Sequence, residues 1–239
     1  MKIKKYLLLL LLSIIIISCN STIPPTVDSY MSEYFPSSIG NWWKYDNWVL
    51  DSNGVRLNKI SVDSVVVENS IFYEGKNAVV LVTYSRREDT TIKITNYLAI
   101  EGSKLFAYLN LKYSDGDSIP WVKSADLSEF EWLIVEKNIK RDTLSIKTEY
   151  YEKTSVSKGG IIDFNYQNQT LKTQEFITNY MQRITTITPK DTLKTDMESI
   201  NQDLYCKGIG WVYSKYIMTK NLGYERQGYE SLLIDYYVK

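Results

Sequence analysis

The chain has 239 residues, with 28 Lys plus Arg against 28 Asp plus Glu, 44% hydrophobic and 13% aromatic residues, and no histidine. Balanced charge with no basic run beyond the first residues excludes a nucleic-acid partner, whose phosphates need a cationic surface. The missing imidazole excludes Ser-His-Asp and Cys-His nucleophiles and the usual zinc sites, leaving carboxylates, lysine, tyrosine or oxygen-ligand metals for any chemistry.

The first element is a targeting segment. Lys2, Lys4 and Lys5 precede an apolar run from Tyr6 to Ile17, shorter than the about 20 residues a helix needs to cross a bilayer. That pattern predicts a signal peptide over residues 1–18. Ile16-Ile17-Ser18-Cys19 resembles the lipobox of bacterial lipoproteins. The resemblance implies that Cys19 carries a diacylglyceryl group on its sulfur, becomes the first residue after cleavage, and is acylated on its new amino group, with palmitate a suitable label. Two or three chains anchor a protein almost permanently, at about 0.8 kcal/mol per buried methylene. Asn20 stands where inner-membrane retention signals favour aspartate, so the expected destination is the outer membrane, with the domain in the cell envelope beside it. The other thiol, Cys206, then has no intrachain partner, and the fold must hold by its core.

Residues 19–34 read as a lipid-anchored tether stiffened by Pro24-Pro25, with a short helix near Tyr30, and residues 35–239 as a single β-rich domain. Period-two alternation dominates from there. Trp43 and Tyr45 share one strand face, and Asp51-Ser52-Asn53-Gly54 marks a hairpin turn. A phase change between Ile60/Val62 and Val65/Val67 predicts a β-bulge near Asp63-Ser64. Further strands are read at 78–84, 144–151, 176–187, 211–218 and 232–238. The clearest hairpin has Ile92, Ile94, Leu98 and Ile100 on one side of Glu101-Gly102-Ser103, and Leu105, Ala107, Leu109 and Leu111 on the other. Two helices are predicted, 125–131 and 196–204. The second opens with a capping box at Thr195 and Glu198, with Met197, Ile200 and Leu204 on one face. The fold class expected is mainly β: an antiparallel, strongly curved sheet, sandwich or half-barrel with one or two short helices.

"YFPSSIGNWWKYDN" (34–47), "NYLAIEGSKLFAYL" (96–109) and "YCKGIGWVYSKY" (205–216) resemble segments of a broad group of exported bacterial proteins and lipoproteins. That resemblance implies an antiparallel β-fold in the envelope and supplies no activity. Within the last segment, Gly208 and Gly210 would let two backbones approach, with Trp211 filling the gap.

Candidate chemistry is sparse. Asp115-Gly116-Asp117 lacks the rest of a calcium loop and reads as a turn. Glu129 and Glu131 around Phe130, beside Trp132, have the composition of a glycosidase pair with an aromatic platform. Arg86-Arg87-Glu88-Asp89 reads as a solvated turn, and Cys206 as a small buried filler. The 20 tyrosines fall on both parities of several strands, which fits either packing on both faces or a concave aromatic face for an apolar or glycan ligand. No catalytic, metal or cofactor residue is singled out, and enzyme status and oligomeric state stay open. The site residue is Cys19, whose partner is the membrane. Three functions remain: a non-catalytic binding or accessory module, a carrier or acceptor of lipidic molecules, and a glycan-binding protein or glycosidase.

Overall fold

The computed structural model describes residues 30–112, 118–143, 145–220 and 228–239. One helical turn, α1 (Met31–Tyr34), is followed by β1 (Trp42–Leu50), β2 (Arg56–Tyr73), β3 (Lys76–Arg87), β4 (Thr90–Glu101), β5 (Lys104–Lys112) and β6 (Ser118–Asp126). The second half comprises β7 (Glu131–Thr143), β8 (Ile146–Tyr166), β9 (Gln169–Ile187), β10 (Thr192–Cys206), β11 (Gly210–Lys220) and β12 (Gly228–Tyr237). They form one sheet ordered β6-β5-β4-β3-β2-β1-β12-β11-β10-β9-β8-β7. Every pairing within it is antiparallel. The predicted curved antiparallel sheet is therefore present, as a nearly closed barrel of twelve meandering strands. β1 meets β12, while β6 and β7, consecutive in the chain, are the two free edges. At one end the seam between them is bridged by Trp132 Nε1 donating to the Lys123 carbonyl (2.8 Å) and Lys158 Nζ to the Leu127 carbonyl (2.5 Å).

The hydrophobic core fills that same end. Trp43, Leu105, Val156, Phe176, Val212 and Leu233 are at most 2% exposed. α1 plugs this end from outside the sheet. Met31 and Phe35, four residues apart and so on one side of a helical turn, are both buried in the core. The Met31 amide donates to the Gly102 carbonyl (2.9 Å) and the Gly208 amide to the Glu33 carbonyl (2.7 Å). The domain thus includes residues 31–34, which the sequence reading assigned to the tether.

At the core end β11 and β12 part, since their pairing covers only Tyr213–Ile217 against Gly228–Leu232. Sheet carbonyls left without strand partners would be costly if buried. Aromatic donors from distant segments take over. Trp43 Nε1 donates to the Ile209 carbonyl (2.5 Å), Tyr45 Oη to that of Trp211 (2.8 Å) and Tyr166 Oη to that of Ile234 (3.2 Å). Tyr166 reaches there because the β8–β9 register shifts between Lys158 and Ile161, at Gly159-Gly160. The tip of that hairpin then packs Phe164 on Tyr213 and Tyr166 on Tyr236. Gly210 has φ +111°, and a Cβ there would lie 3.1 Å from the Trp43 indole nitrogen. The gap beside this glycine is filled by Trp43 and not by Trp211, which instead rings against Tyr45 at 4.9 Å.

Three local expectations are corrected. Residues 196–204 belong to β10, which pairs along its length with β9 and over its second half with β11; these pairings outweigh a local capping box. Residues 125–131 split between the end of β6, a loop and the first residue of β7. β2 is irregular between Val67 and Asn69 and again between Lys59 and Ser61, while residues 61–66 pair with β1 in unbroken register. The phase change that suggests an earlier bulge is a change in which face is apolar: Val65 and Val67 lie on the core side, where Ser61 and Asp63 also stand, whereas Val62 pairs with Asp46 on the opposite face.

Candidate functional site

Away from the core end, the inward face of the barrel changes character. Asn47 continues the face of Trp43 and Tyr45, Ser231 that of Leu233, and Asn201 and Asp203 that of Tyr205, because residues two apart on a strand share a side. These positions carry a hydrogen-bonded polar row. Ser231 Oγ donates to Asn47 Oδ1 (2.6 Å), Asn47 Nδ2 to Ser61 Oγ (2.8 Å), and Ser61 Oγ to Asp63 Oδ1 (2.9 Å). On the neighbouring strands Ser214 Oγ donates to Asn201 Oδ1 (3.1 Å), and Asn201 Nδ2 and Trp211 Nε1 donate to the two oxygens of Asp203 (2.7 and 3.2 Å). Ser214 and Ser231 are register partners across β11 and β12, so the two groups are adjacent. A third lies on β8 and β9, where Gln182 Nε2 donates to Tyr150 Oη (3.2 Å) and Tyr150 Oη donates to Glu152.

Electrostatics follow from this half-enclosed setting. Burial pushes the Asp203 carboxyl up to about 6, against the hydrogen bonds from Ser214, Trp211 and Asn201 that favour its ionised form. Burial, then the bond to Glu152, pushes the Tyr150 hydroxyl up to about 12. Beyond the polar row the inward face is wet and apolar. Ile92 and Ile94, on the side of β4 that carries Leu98 and Ile100, are 42% and 44% exposed. Tyr216 and Tyr229 are stacked, their ring centroids 6.3 Å apart and planes at 26°. The arrangement offers fixed amide, hydroxyl and carboxylate groups above an apolar floor, with aromatic and aliphatic side chains at the mouth.

The residues singled out from sequence fall elsewhere. Cys19 and Asp115-Gly116-Asp117 lie outside the described residues. Glu129 is held by Lys123 Nζ at 2.8 Å, the ammonium that also covers the Trp132 ring at 5.0 Å, and Trp132 is turned into the core, so that indole offers no open platform beside Glu129 and Glu131. Arg86 and Arg87 end β3 and, with Asn58 to Val62, line a hollow of about 600 Å³. Cys206 is buried, and burial pushes its thiol up. Among the described residues no three His, Cys, Asp or Glu side chains group as a metal site. The remaining tyrosine signal resolves onto the outer face, where Tyr73, Tyr97, Tyr108 and Trp121 form a row of stacked and edge-on rings across β2, β4, β5 and β6. Sequence reasoning missed the polar row. Its signal was present as polar residues, Asn47, Ser231, Asn201 and Asp203, on the parity of core residues.

No protein-family model and no curated protein matches the chain. Two solved structures are similar in fold. One, described as a candidate lipoprotein from Parabacteroides distasonis ATCC 8503, is 15% identical with a TM-score of 0.49, covering 85% of this chain and 98% of its own. Another, a candidate exported protein with a YmcC-like fold from Bacteroides fragilis NCTC 9343, is 14% identical with a TM-score of 0.42, covering 85% and 98%. At these levels neither likeness carries a functional inference.

Proposed function

We propose that the chain is a lipid-anchored protein of the bacterial envelope, delivered to the outer membrane, whose barrel serves as a non-catalytic binding or accessory module. Anchorage is supported by the basic start, the twelve-residue apolar run and the cysteine that ends Ile16-Ile17-Ser18-Cys19. Binding is supported by the polar row on the inward face, the single observation that carries this reading. It fixes donors and acceptors over an apolar floor, as ligand sites do. A ligand rich in hydroxyl or amide groups fits that lining.

A second reading, a carrier or acceptor of lipidic molecules, is favoured by the exposure of Ile92 and Ile94 on the inward face. Native mass spectrometry of protein purified from membranes separates the two: a co-purifying acylated lipid supports the carrier, and a saccharide or peptide supports the module. Labelled palmitate should mark the wild type and leave Cys19→Ala unmarked, with the wild type in the outer-membrane fraction of a density gradient. Equal labelling of both forms overturns the anchor.

A further inference from the structure

The end of the barrel that α1 plugs is also the end from which the tether leaves. Ten residues separate Cys19 from Tyr30, so a fully extended tether reaches about 35–40 Å, and this end is the one held near the bilayer. Around it large apolar side chains stand out at turns where no packing requires them. Tyr30 is 60%, Phe72 74% and Phe130 75% exposed. Hydrogen bonds tie all three to one place. The Met31 amide donates to Gly102 and the Leu127 amide to Ser103, and Lys76, just past the β2 turn, pairs with Glu101 at 2.7 Å. The Gly102 turn thus sits among the tether exit, the Phe72 hairpin and the Phe130 loop. The outer aromatic row begins beside Phe72, at Tyr73, and Trp121 Nε1 donates to the Glu74 carbonyl of the same turn (2.9 Å).

From this we propose that the rim formed by Tyr30, Phe72 and Phe130 docks on the lipid bilayer that holds the acyl chains, with the outer aromatic row at the level of the headgroups. The proposal rests on the lipid-anchor reading above. Exposed apolar residues beside aromatic side chains with polar edges are what an interfacial contact uses. Attachment at Cys19 makes the contact effectively intramolecular, so a rim too weak to bind vesicles by itself still stays down. The open, polar-lined half of the barrel then faces away from the membrane.

The test uses the acylated full chain carrying a single surface cysteine, Phe72→Cys or Phe130→Cys, with Leu57→Cys and Leu193→Cys, the second residues of β2 and β10 at the other end, as controls. Each is labelled with a fluorophore and reconstituted into phosphatidylethanolamine–phosphatidylglycerol vesicles that contain doxyl-labelled lipid. Cys206 is buried and Cys19 blocked by lipid, so the label reports the chosen site. Docking predicts strong quenching at 72 and 130 and unchanged emission at 57 and 193, in protein that floats with the vesicles. Floating protein with no quenching at 72 or 130 overturns docking and leaves the anchor standing, whereas protein that fails to float overturns both. Cross-linking between copies through 72 or 130 without lipid quenching assigns the rim to a second copy of the chain and also overturns the proposal.

Discussion

Asp126 is fully buried at the foot of the seam and accepts from Ser103 Oγ (2.9 Å), the Ser128 amide (2.9 Å) and hydroxyl (2.7 Å), and Lys123 Nζ (3.2 Å). Burial works against its charge, yet these bonds prevail and hold the carboxyl below its ordinary value. A depressed acid contributes stability that is present above the ordinary carboxylate range and lost as pH falls through the folded value. Asp126→Asn should therefore cost about 1–3 kcal/mol at neutral pH, a deficit that shrinks in acid, read by chemical denaturation across pH. Asp203 behaves in the opposite sense. Its raised carboxyl, at about 6, contributes stability below the ordinary value that is lost as pH rises through about 6. Asp203→Asn should match wild type near pH 4 and exceed it above 6 in the same assay, and a parallel decline of both proteins would show that another group sets the slope. Trp43, 1% exposed and hydrogen-bonded across the gap at β11, should lose about 3–5 kcal/mol on replacement by alanine. Trp211, partly buried at the margin of the core with its Nε1 on Asp203 and its ring on Tyr45, should lose less, so the two tryptophans are unequal.

At the level of elements, the close approach of β11 and β12 depends on Gly228. A Cβ there would stand 2.6 Å from the Tyr216 carbonyl oxygen and 3.2 Å from Leu50 Cβ, and a backbone oxygen cannot swing aside as a side-chain tip can. Gly228→Ala should cost about 1–3 kcal/mol through forced displacement, whereas Gly160→Ala, which meets nothing within 4 Å, should be close to neutral; thermal melts of the pair decide it. The elements that sequence made legible are those whose two faces differ. The hairpin around Glu101-Gly102-Ser103 is legible because β4 and β5 put Leu98, Ile100 and Leu105 on the core, though the two strands pair only over Leu98–Glu101 against Lys104–Ala107, and Asn53-Gly54 turns the chain as expected, with Gly54 at φ +74°. β10 resembles a helix in its capping box and its Met197, Ile200 and Leu204 spacing, and its inward side carries Ser199, Asn201 and Asp203, polar residues where alternation leads one to expect apolar ones. The strand is specified by partners on both sides, information that no local window contains. The candidate site was hidden for the same reason: its members come from seven strands and meet only when the sheet curls.

For the molecule as a whole, one buried free thiol among the described residues, Cys206, and a core spread over all twelve strands predict a single cooperative unfolding transition that reductant does not shift. Two transitions in a denaturant titration would mean that the two six-stranded halves are separate folding units. The strand order has a further consequence, for how the protein is made. Each hairpin from β1 to β6 and from β7 to β12 joins chain neighbours, but the pairing of Trp42 with Tyr237 joins nearly the two extremes of the domain. Closing so long a loop adds little to the equilibrium cost, which grows only with the logarithm of length, yet it is a slow event in time. A chain that emerges from its amino end can assemble its meanders as they appear, but β1 must wait, with one edge unpaired, until the last strand arrives. Folding of this protein therefore leaves a window in which Trp43 and Tyr45 stand on an open sheet edge, which closes only when β12 docks.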